Sequence, residues 1–275
     1  MNYKCIILTR FNIRFDERCI RTLDMDWLNY RLDLFKQFCL PSVQNQLCKN
    51  FQWIILMDED TPMPFRKQME QCIAGCQEAE LLYLPYNTNI NTQFKAIAQK
   101  YSSNIDVLVS VRLDSDDLLS NNFIRDMLAS LPSSITHRIA IIFPNGLQLY
   151  PERHIGLHIT NPKNHFRALA EPAKSARGEL DFSQIDFQDM TVLLGGQAPY
   201  WAEIIHSNNL FNDFEWKFHP RSMHTPLDSF AIDLQDYCHK KANRYFIFLN
   251  YFRYRLRHIQ HVFSFRQPTI RKRIF

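Results

Sequence analysis

The stretch from Asp106 to Asn121, DVLVSVRLDSDDLLSN, constrains the fold of this chain more than any other. It begins as an apolar, β-branched run of the length typical of a buried strand. It ends in three carboxylates within four positions, at Asp114, Asp116 and Asp117. Repulsion disfavours such neighbours unless a cation lies among them, and hard oxygen ligands suit Mg²⁺ or Mn²⁺. The alternative is that two of the acids cap a helix beginning near Leu118.

Apolar strands and helix-like segments alternate along the first part of the chain. The pattern predicts strands at 3–9, 51–57, 80–84 and 107–111, and helices at 27–50 (broken or restarted at Pro41), 65–79 and 92–101. Such alternation implies parallel strands joined by right-handed crossovers. Polar residues follow three of these strands, and parallel strands end at one edge of a sheet. They are Thr9 and Arg10, Asp58 and Asp60, and Asp114 and Asp116, so the sequence predicts that they line a single crevice.

The second part of the chain has weaker patterns. A helix is predicted at 123–131 and a strand at 138–143, followed by a hairpin-like return through Asn145 and Gly146. Residues 151–189 carry scattered Pro, His and Asn, which predicts an irregular region on the acceptor side. Residues 200–209, YWAEIIHSNN, fit a helix or a strand that ends in polar groups.

Composition excludes several classes of protein. With 275 residues, 46% of them hydrophobic, the chain can form one large α/β domain with an appendage. It has 6 Gly and no Gly-rich loop, so the Walker phosphate loop and the dinucleotide fingerprint are absent. Seven Cys without a secretory leader indicate reduced thiols and a cytoplasmic protein. No run of about 18 apolar residues predicts a membrane-spanning helix.

The C-terminal tail differs in charge from the rest of the chain. Residues 237–275 contain ten Lys or Arg and no acid, whereas the remainder carries more acidic than basic residues. Apolar residues recur at helical spacing from Ala242 to Gln267, which predicts a basic, aromatic amphipathic helix. Such a helix could lie on an anionic membrane surface, or it could pack on the catalytic domain with its arginines solvated.

Several motifs in series resemble the rhamnosyltransferase family, which belongs to the GT-A class of glycosyltransferases and is similar to family 2. They occur in order over roughly the first 210 residues: TRFN at 9–12, RLDLFKQFCLPSVQNQ at 31–46, FQWIILMDEDTP at 51–62, RLDSDD at 112–117 and YWAEIIHSNN at 200–209. The resemblance implies a GT-A-like fold, in which a mixed, mainly parallel central sheet is flanked by helices. A catalytic domain is then expected at 1–235, with a Rossmann-like nucleotide-sugar half at 1–120 and an acceptor half at 121–235, followed by the helical tail at 236–275.

The same resemblance implies a metal-dependent, inverting transfer from a nucleotide sugar. By position, Thr9, Arg10 and Asp58 match the family's nucleoside-binding sites. Asp114 and Asp116 match the Asp-x-Asp that carries Mn²⁺ or Mg²⁺, and His206 matches a late histidine that completes the metal site. The donor would be a dTDP-, UDP- or GDP-sugar, rhamnose by the family name, and the acceptor a glycan or a lipid-linked glycan. For a cytoplasmic enzyme with a membrane-attached tail, the location would be the inner face of the membrane.

Two further roles follow from chemistry rather than from matched motifs. Arg112 either contacts a donor phosphate or pairs with Asp114. An inverting reaction needs a general base for the acceptor hydroxyl, normally a carboxylate. No acidic pair stands at the expected distance beyond the metal acids, so the candidates are Asp189, Glu171 and Glu203, in no order of preference.

Other functions remain open at this level. A metal-dependent nucleotidyltransferase would have a related sheet, but its Gly-rich basic loop after the first strand is missing. A catalytically degenerate nucleotide-sugar-binding protein would keep the site without the base. Binding of nucleic acid by the tail is not expected, because it leaves the crevice acids unexplained and those acids repel phosphate.

Overall fold

The computed structural model describes residues 1–14, 21–101, 104–153, 155–176, 191–196, 198–206, 229–234, 248–249 and 251–252. In chain order its strands and helices are β1 (Tyr3–Arg10), α1 (Met25–Leu34), a π-helix (Phe35–Cys39), α2 (Leu40–Gln44), β2 (Gln52–Asp58), α3 (Met63–Ile73), β3 (Ala79–Leu84), α4 (Ile90–Tyr101), β4 (Val107–Arg112), β5 (Leu118–Leu119), α5 (Phe123–Ala129), β6 (Ile139–Ile142), β7 (Asn145–Tyr150), β8 (Ile155–Thr160), β9 (Arg167–Pro172), β10 (Thr191–Leu194) and β11 (Trp201–Ile204). Short 3₁₀ turns occupy Pro151–Arg153 and Ala173–Ser175.

A seven-stranded sheet forms the centre of the fold, in the order β10-β6-β9-β4-β1-β2-β3. Its strands are parallel except β9, which lies antiparallel between β4 and β6. The predicted mixed, mainly parallel sheet flanked by helices is therefore confirmed. Since β9 follows the acid cluster in sequence yet pairs with β4, residues from both predicted halves share this one sheet.

Side-chain alternation along β1 divides the core between the two faces of the sheet. Cys5 and Ile7 pack into the larger cluster, together with α1, the π-helix and α3. Ile6 and Leu8 point the other way, into a smaller cluster that is covered by α4. Because both faces are covered, β1 is almost continuously apolar, as expected for a parallel strand.

A second, four-stranded sheet has the order β5-β11-β7-β8. Its strand β5 begins at the residue after Asp117, so the acid cluster lies at the junction of the two sheets. A third apolar cluster joins this sheet to α1 and the π-helix, through Leu34, Phe38, Leu149 and Ile204 among others. Buried apolar contacts thus support the junction of the two sheets.

Two local predictions and one alternative interpretation are wrong. Residues 151–189 are not uniformly irregular, because they supply β8 and the central strand β9. Asn145 and Gly146 do not turn a hairpin between β6 and β7, since those two strands belong to different sheets. The segment after Asp117 continues as a strand, and the next helix begins at Phe123, so the acids do not cap a helix near Leu118.

The predicted tail lies mostly outside the described residues. Within it, Phe248 and Phe252 are described as helical, with exposures of 62% and 52%. Their rings stack with centroids 6.4 Å apart. In the part of the chain that the structure describes, no helix combines the length and apolar character needed to cross a bilayer.

Candidate active site

The acid cluster begins where β4 leaves the central sheet. Beyond Arg112 the chain remains tied to β1, because the Leu113 N–H donates to the Leu8 carbonyl at 3.0 Å. A turn follows, in which the Asp117 N–H donates to the Asp114 carbonyl at 3.1 Å. This turn places three carboxylates at the carboxyl end of a parallel strand, the usual ligand-binding edge of an α/β sheet.

Asp114 is held by two arginines. Arg112 Nε and Nη2 donate to its two carboxylate oxygens at 3.0 and 2.8 Å, and Arg10 Nη2 lies 3.6 Å from Oδ1. Burial alone would raise the pKa of Asp114, but the charges of Arg112 and Arg10 outweigh it and hold that pKa well below its usual range. Asp114 is therefore ionised in the folded protein.

Asp116 forms an ion pair with a different arginine, which comes from α1. Arg31 Nη1 and Nη2 donate to Asp116 Oδ2 and Oδ1 at 2.7 and 2.9 Å, and His206 Nε2 lies 2.9 Å from Oδ2. Burial would raise the pKa of Asp116, yet the Arg31 charge and the hydrogen bonds from His206 and Arg31 lower it. Both oxygens of this carboxylate are thus engaged by protein groups.

Asp117 has no arginine partner among the described contacts. Its Oδ1 accepts the Ile204 N–H at 2.9 Å, and His165 Nε2 lies 3.1 Å from Oδ2. Burial, followed by the charges of Asp116 and Asp114, raises the pKa of Asp117 well above its usual range. Burial also lowers the pKa of His165, which favours the neutral imidazole.

These groups form two layers. The outer layer is partly open to solvent, with side-chain exposures of 26% for Arg10, 21% for Asp114 and 23% for His165. The inner layer is closed, with 13% for Arg31, 8% for Asp116 and 1% for His206. A ligand that approaches from solvent therefore meets the outer layer first.

The outer layer and Asp117 fit a divalent cation. Asp114, Asp117 and His165 each offer one ligand atom, and these three atoms lie within 4.8 Å of one another. Two carboxylate oxygens and a neutral imidazole suit a hard or borderline cation such as Mn²⁺. By contrast, Asp116 and His206, which the family resemblance places on the metal, contact each other and Arg31 in the inner layer.

A second set of charged residues, from the end of β2 and the segments that follow β1 and β2, lies beside the acid cluster. Arg14 Nε and Nη2 donate to the two oxygens of Asp58 at 2.8 and 2.9 Å, and Arg14 also pairs with Asp60. Burial opposes ionisation of Asp58, but the Arg14 hydrogen bond lowers its pKa. The Arg14 guanidinium lies over the Tyr86 ring, 4.9 Å from its centroid.

Thr9 does not reach the crevice. Its side chain is fully buried, and its hydroxyl accepts the indole N–H of Trp53 at 2.9 Å. The expectation that the Thr9 side chain contacts a nucleoside is therefore not supported, because odd-numbered residues of β1 face the larger core cluster.

The three candidates for the general base are placed differently. Glu171 pairs in register with Leu108, near the start of β4, and its Oε1 lies 2.8 Å from Arg138 Nη2. It therefore does not join the acid cluster, which follows the other end of β4. Glu203 precedes Ile204, whose N–H binds Asp117, and its charge partly opposes the lowering of the His165 pKa by burial. Asp189 lies outside the described residues.

A family model described as "Putative rhamnosyl transferase" matches residues 9–188, which is more than half of the chain. The chain belongs to this family. The motif series predicts the same family. No curated protein sequence matches it significantly.

Solved structures similar to this rhamnosyl transferase family member are distant. Two crystal structures of S. aureus TarS 1–349, one of them in complex with UDP, share 11% and 12% identity with TM-scores of 0.42 and 0.43. Each alignment covers 74% of this chain, and they span 60% and 61% of the TarS chain. A 4-diphosphocytidyl-2C-methyl-D-erythritol synthase from Anaerococcus prevotii shares 12% identity over 70% of this chain and 90% of its own, with a TM-score of 0.35.

Sequence reasoning missed three residues of the site in this family member: Arg14, Arg31 and His165. All three make ion pairs or hydrogen bonds to acids at least 44 positions away in sequence. For Arg31 there was a signal, because it opens the RLDLFKQFCLPSVQNQ motif. For His165 no local pattern pointed to Asp117.

Proposed function

We propose that this protein is a glycosyltransferase that moves a sugar, rhamnose by its family description, from a nucleoside diphosphate donor to a hydroxyl of a glycan or lipid-linked acceptor. The transfer is inverting and depends on a divalent cation. The observation that carries the proposal is the convergence of Asp114, Asp116 and Asp117 with Arg10, Arg31 and Arg112 at the carboxyl end of β4. The donor nucleotide is one of dTDP, UDP and GDP.

Mn²⁺ or Mg²⁺ would be held by Asp114, Asp117 and His165, because their ligand atoms converge and Asp114 and His165 are partly open to solvent. The set expected from the family resemblance, Asp114, Asp116 and His206, is the alternative. It is less favoured because, among the described residues, the three ligand atoms that converge within 4.8 Å are those of Asp114, Asp117 and His165. When bound, the cation offsets the negative charge that develops on the departing diphosphate.

The arginines of the outer layer suit the donor phosphates. Arg10 and Arg112 both contact Asp114, with side-chain exposures of 26% and 15%, and a guanidinium group suits the oxygens of a phosphate. The nucleoside would then extend toward the ends of β1 and β2. There Arg14, fixed by Asp58, offers a rigid guanidinium, while the Asp58 carboxylate itself is fully buried.

Glu203 is the described carboxylate best placed to act as general base. It lies on β11 beside the residue that binds Asp117, and its Oε2 accepts a hydrogen bond from Gln148 Nε2 at 2.7 Å. In the proposed step the acceptor oxygen attacks the anomeric carbon, and the bond from that carbon to the diphosphate oxygen breaks. The acceptor proton passes to Glu203. Because the acceptor attacks from the face opposite the departing diphosphate, the configuration of the anomeric carbon is inverted.

The basic tail is proposed to hold the enzyme on the anionic inner face of a membrane. Two features support this role: the exposed, stacked rings of Phe248 and Phe252, and the excess of Lys and Arg after Asp236. Such attachment suits transfer to a lipid-linked acceptor.

Calorimetric titration of dTDP, UDP and GDP, each with Mn²⁺, Mg²⁺ or EDTA, tests the proposal. We expect one nucleotide to bind only when a cation is present, and Asp114→Asn to remove that binding. Asp24→Asn, at an exposed aspartate outside the site, is the matched control and should bind as the wild type does. If none of the nine combinations binds, the donor-binding function is wrong.

A further inference from the structure

We propose that Arg31 is a positioning residue, which fixes the turn from Asp114 to Asp117 so that its first and last carboxylates face one cation. This role rests on the proposed function. Arg31 itself lies in the inner layer and does not need to touch the donor.

The contacts of Arg31 reach two consecutive residues of the turn. Nη2 donates to the Ser115 hydroxyl at 2.6 Å and to Asp116 Oδ1 at 2.9 Å, while Nη1 donates to Asp116 Oδ2 at 2.7 Å. One planar group thus restrains both central side chains of the turn. Since Asp114 and Asp117 flank these two residues, the directions of their side chains depend on this restraint.

Arg31 is itself held by the helix that carries it. Leu28 and Leu32 of α1 are buried in the core, and the guanidinium lies 5.7 Å from the centroid of the Trp27 ring. The π-helix Phe35–Cys39 follows α1 directly, with Phe35 fully buried. Short π-helical segments often occur at functional sites. The anchor is therefore rigid on the side facing the core.

His206 closes the inner layer from the second sheet. Its Nε2 lies 2.9 Å from Asp116 Oδ2 and 3.5 Å from Arg31 Nη1. Its ring also meets Tyr30 of α1 edge to face, with centroids 5.5 Å apart. Elements from α1, the turn after β4 and the end of β11 thus meet at a single carboxylate.

Stability alone gives no reason for this arrangement. A buried ion pair gains little over apolar residues of the same volume, because desolvation offsets the attraction between the charges. Groups behind a metal site do orient its ligands, and removing such a group typically weakens metal binding or activity by about 10- to 100-fold. The buried pair of Arg31 and Asp116 is positioned to act in this way.

The test measures Mn²⁺ affinity by electron paramagnetic resonance, at a saturating concentration of the nucleotide that the wild type binds. Arg31→Lys keeps the charge but cannot hold both oxygens of Asp116, and we expect it to bind Mn²⁺ about 10- to 100-fold more weakly. Arg138→Lys is the matched control. It loses a similar pair with the buried Glu171, near the start of β4, and should retain wild-type Mn²⁺ affinity.

The outcomes separate this role from the proposed function. A wild type that binds no nucleotide with Mn²⁺ would overturn both. If the wild type binds Mn²⁺ with nucleotide and Arg31→Lys binds it equally tightly, the role of Arg31 alone is overturned. Equal losses of Mn²⁺ affinity in Arg31→Lys and Arg138→Lys would have the same consequence. If Arg31→Lys does not fold, Ser115→Ala removes one contact of the same guanidinium, and a loss of roughly 2- to 10-fold is expected. Unchanged affinity in that variant would also refute the role.

Discussion

Gly146 on β7 offers a direct test of how the second sheet supports the site. A Cβ added there would lie 2.2, 2.3 and 2.5 Å from three atoms of the Trp201 ring. The ring has little room to retreat, because its other contacts include Phe166, stacked with centroids 4.6 Å apart, and the Phe143 carbonyl, which accepts its N–H at 2.8 Å. Gly146→Ala therefore forces either a ring displacement or a shift between β7 and β11.

The magnitude follows from two contributions. Overpacking of a well-filled core costs about 1–3 kcal/mol. If the indole N–H loses the Phe143 carbonyl, the unpaired groups cost about 1–3 kcal/mol more. We therefore expect Gly146→Ala to lower the free energy of unfolding by about 2–6 kcal/mol, a large share of the 5–15 kcal/mol typical of a domain.

Urea unfolding followed by tryptophan fluorescence and far-UV circular dichroism measures this change. Gly75→Ala is the control, because a Cβ there would meet one side-chain atom, Gln44 Nε2, at an ordinary 3.7 Å. Its stability should equal that of the wild type or exceed it by up to about 1 kcal/mol. A free energy of unfolding for Gly146→Ala within about 0.5 kcal/mol of the wild type would refute the packing argument.

Three further predictions concern charge, catalysis and the tail. The folded-state pKa of Asp58 lies below its ordinary value of 3.8, since the Arg14 hydrogen bond outweighs burial. The pair therefore stabilises the fold above pH 3.8 and loses its contribution as the pH falls through the lower folded-state pKa. Urea unfolding between pH 5 and pH 2 should show that the free energy of unfolding falls less steeply with decreasing pH in Asp58→Asn than in the wild type. An identical pH dependence in the two proteins would refute this. Glu203→Gln should reduce sugar transfer by about 10²-fold or more while nucleotide binding persists, whereas Glu171→Gln should retain transfer; equal rates in the two variants would exclude Glu203 as the base. Co-sedimentation with vesicles of anionic lipid should retain the full chain and release a chain truncated after Asp236, and equal release of both would contradict membrane attachment.

The sequence predicts the central strands well because burial dictates their composition. The runs that became β1, β2 and β4 are apolar on both faces, and their observed bounds differ from the predicted ones by one residue at each affected end. Strand β9 was not predicted, because its sequence, RALAEP, has no β-branched residue and contains two alanines. It is a central strand through its pairing with β4 and β6, which only the tertiary structure determines.

The candidate site can be predicted from the sequence only in part, for a related reason. Asp114 was identifiable because a strand with charged residues at its end carries a local signal. The partners of the acids come from distant segments, so the sequence could not show that Arg31 would engage Asp116 or that His165 would reach Asp117. A sequence pattern reports which residue types are adjacent along the chain, whereas the choice of metal ligands depends on which ligand atoms converge in the fold.

The most direct test of the account is a crystal structure with Mn²⁺ and the bound nucleotide diphosphate, recorded with anomalous scattering near the manganese absorption edge. The account predicts one anomalous peak within coordination distance of Asp114, Asp117 and His165, in contact with the diphosphate. A peak coordinated by Asp116 and His206, with Arg31 displaced, would contradict the ligand assignment. A nucleotide bound elsewhere, with no peak at the end of β4, would contradict the proposed active site.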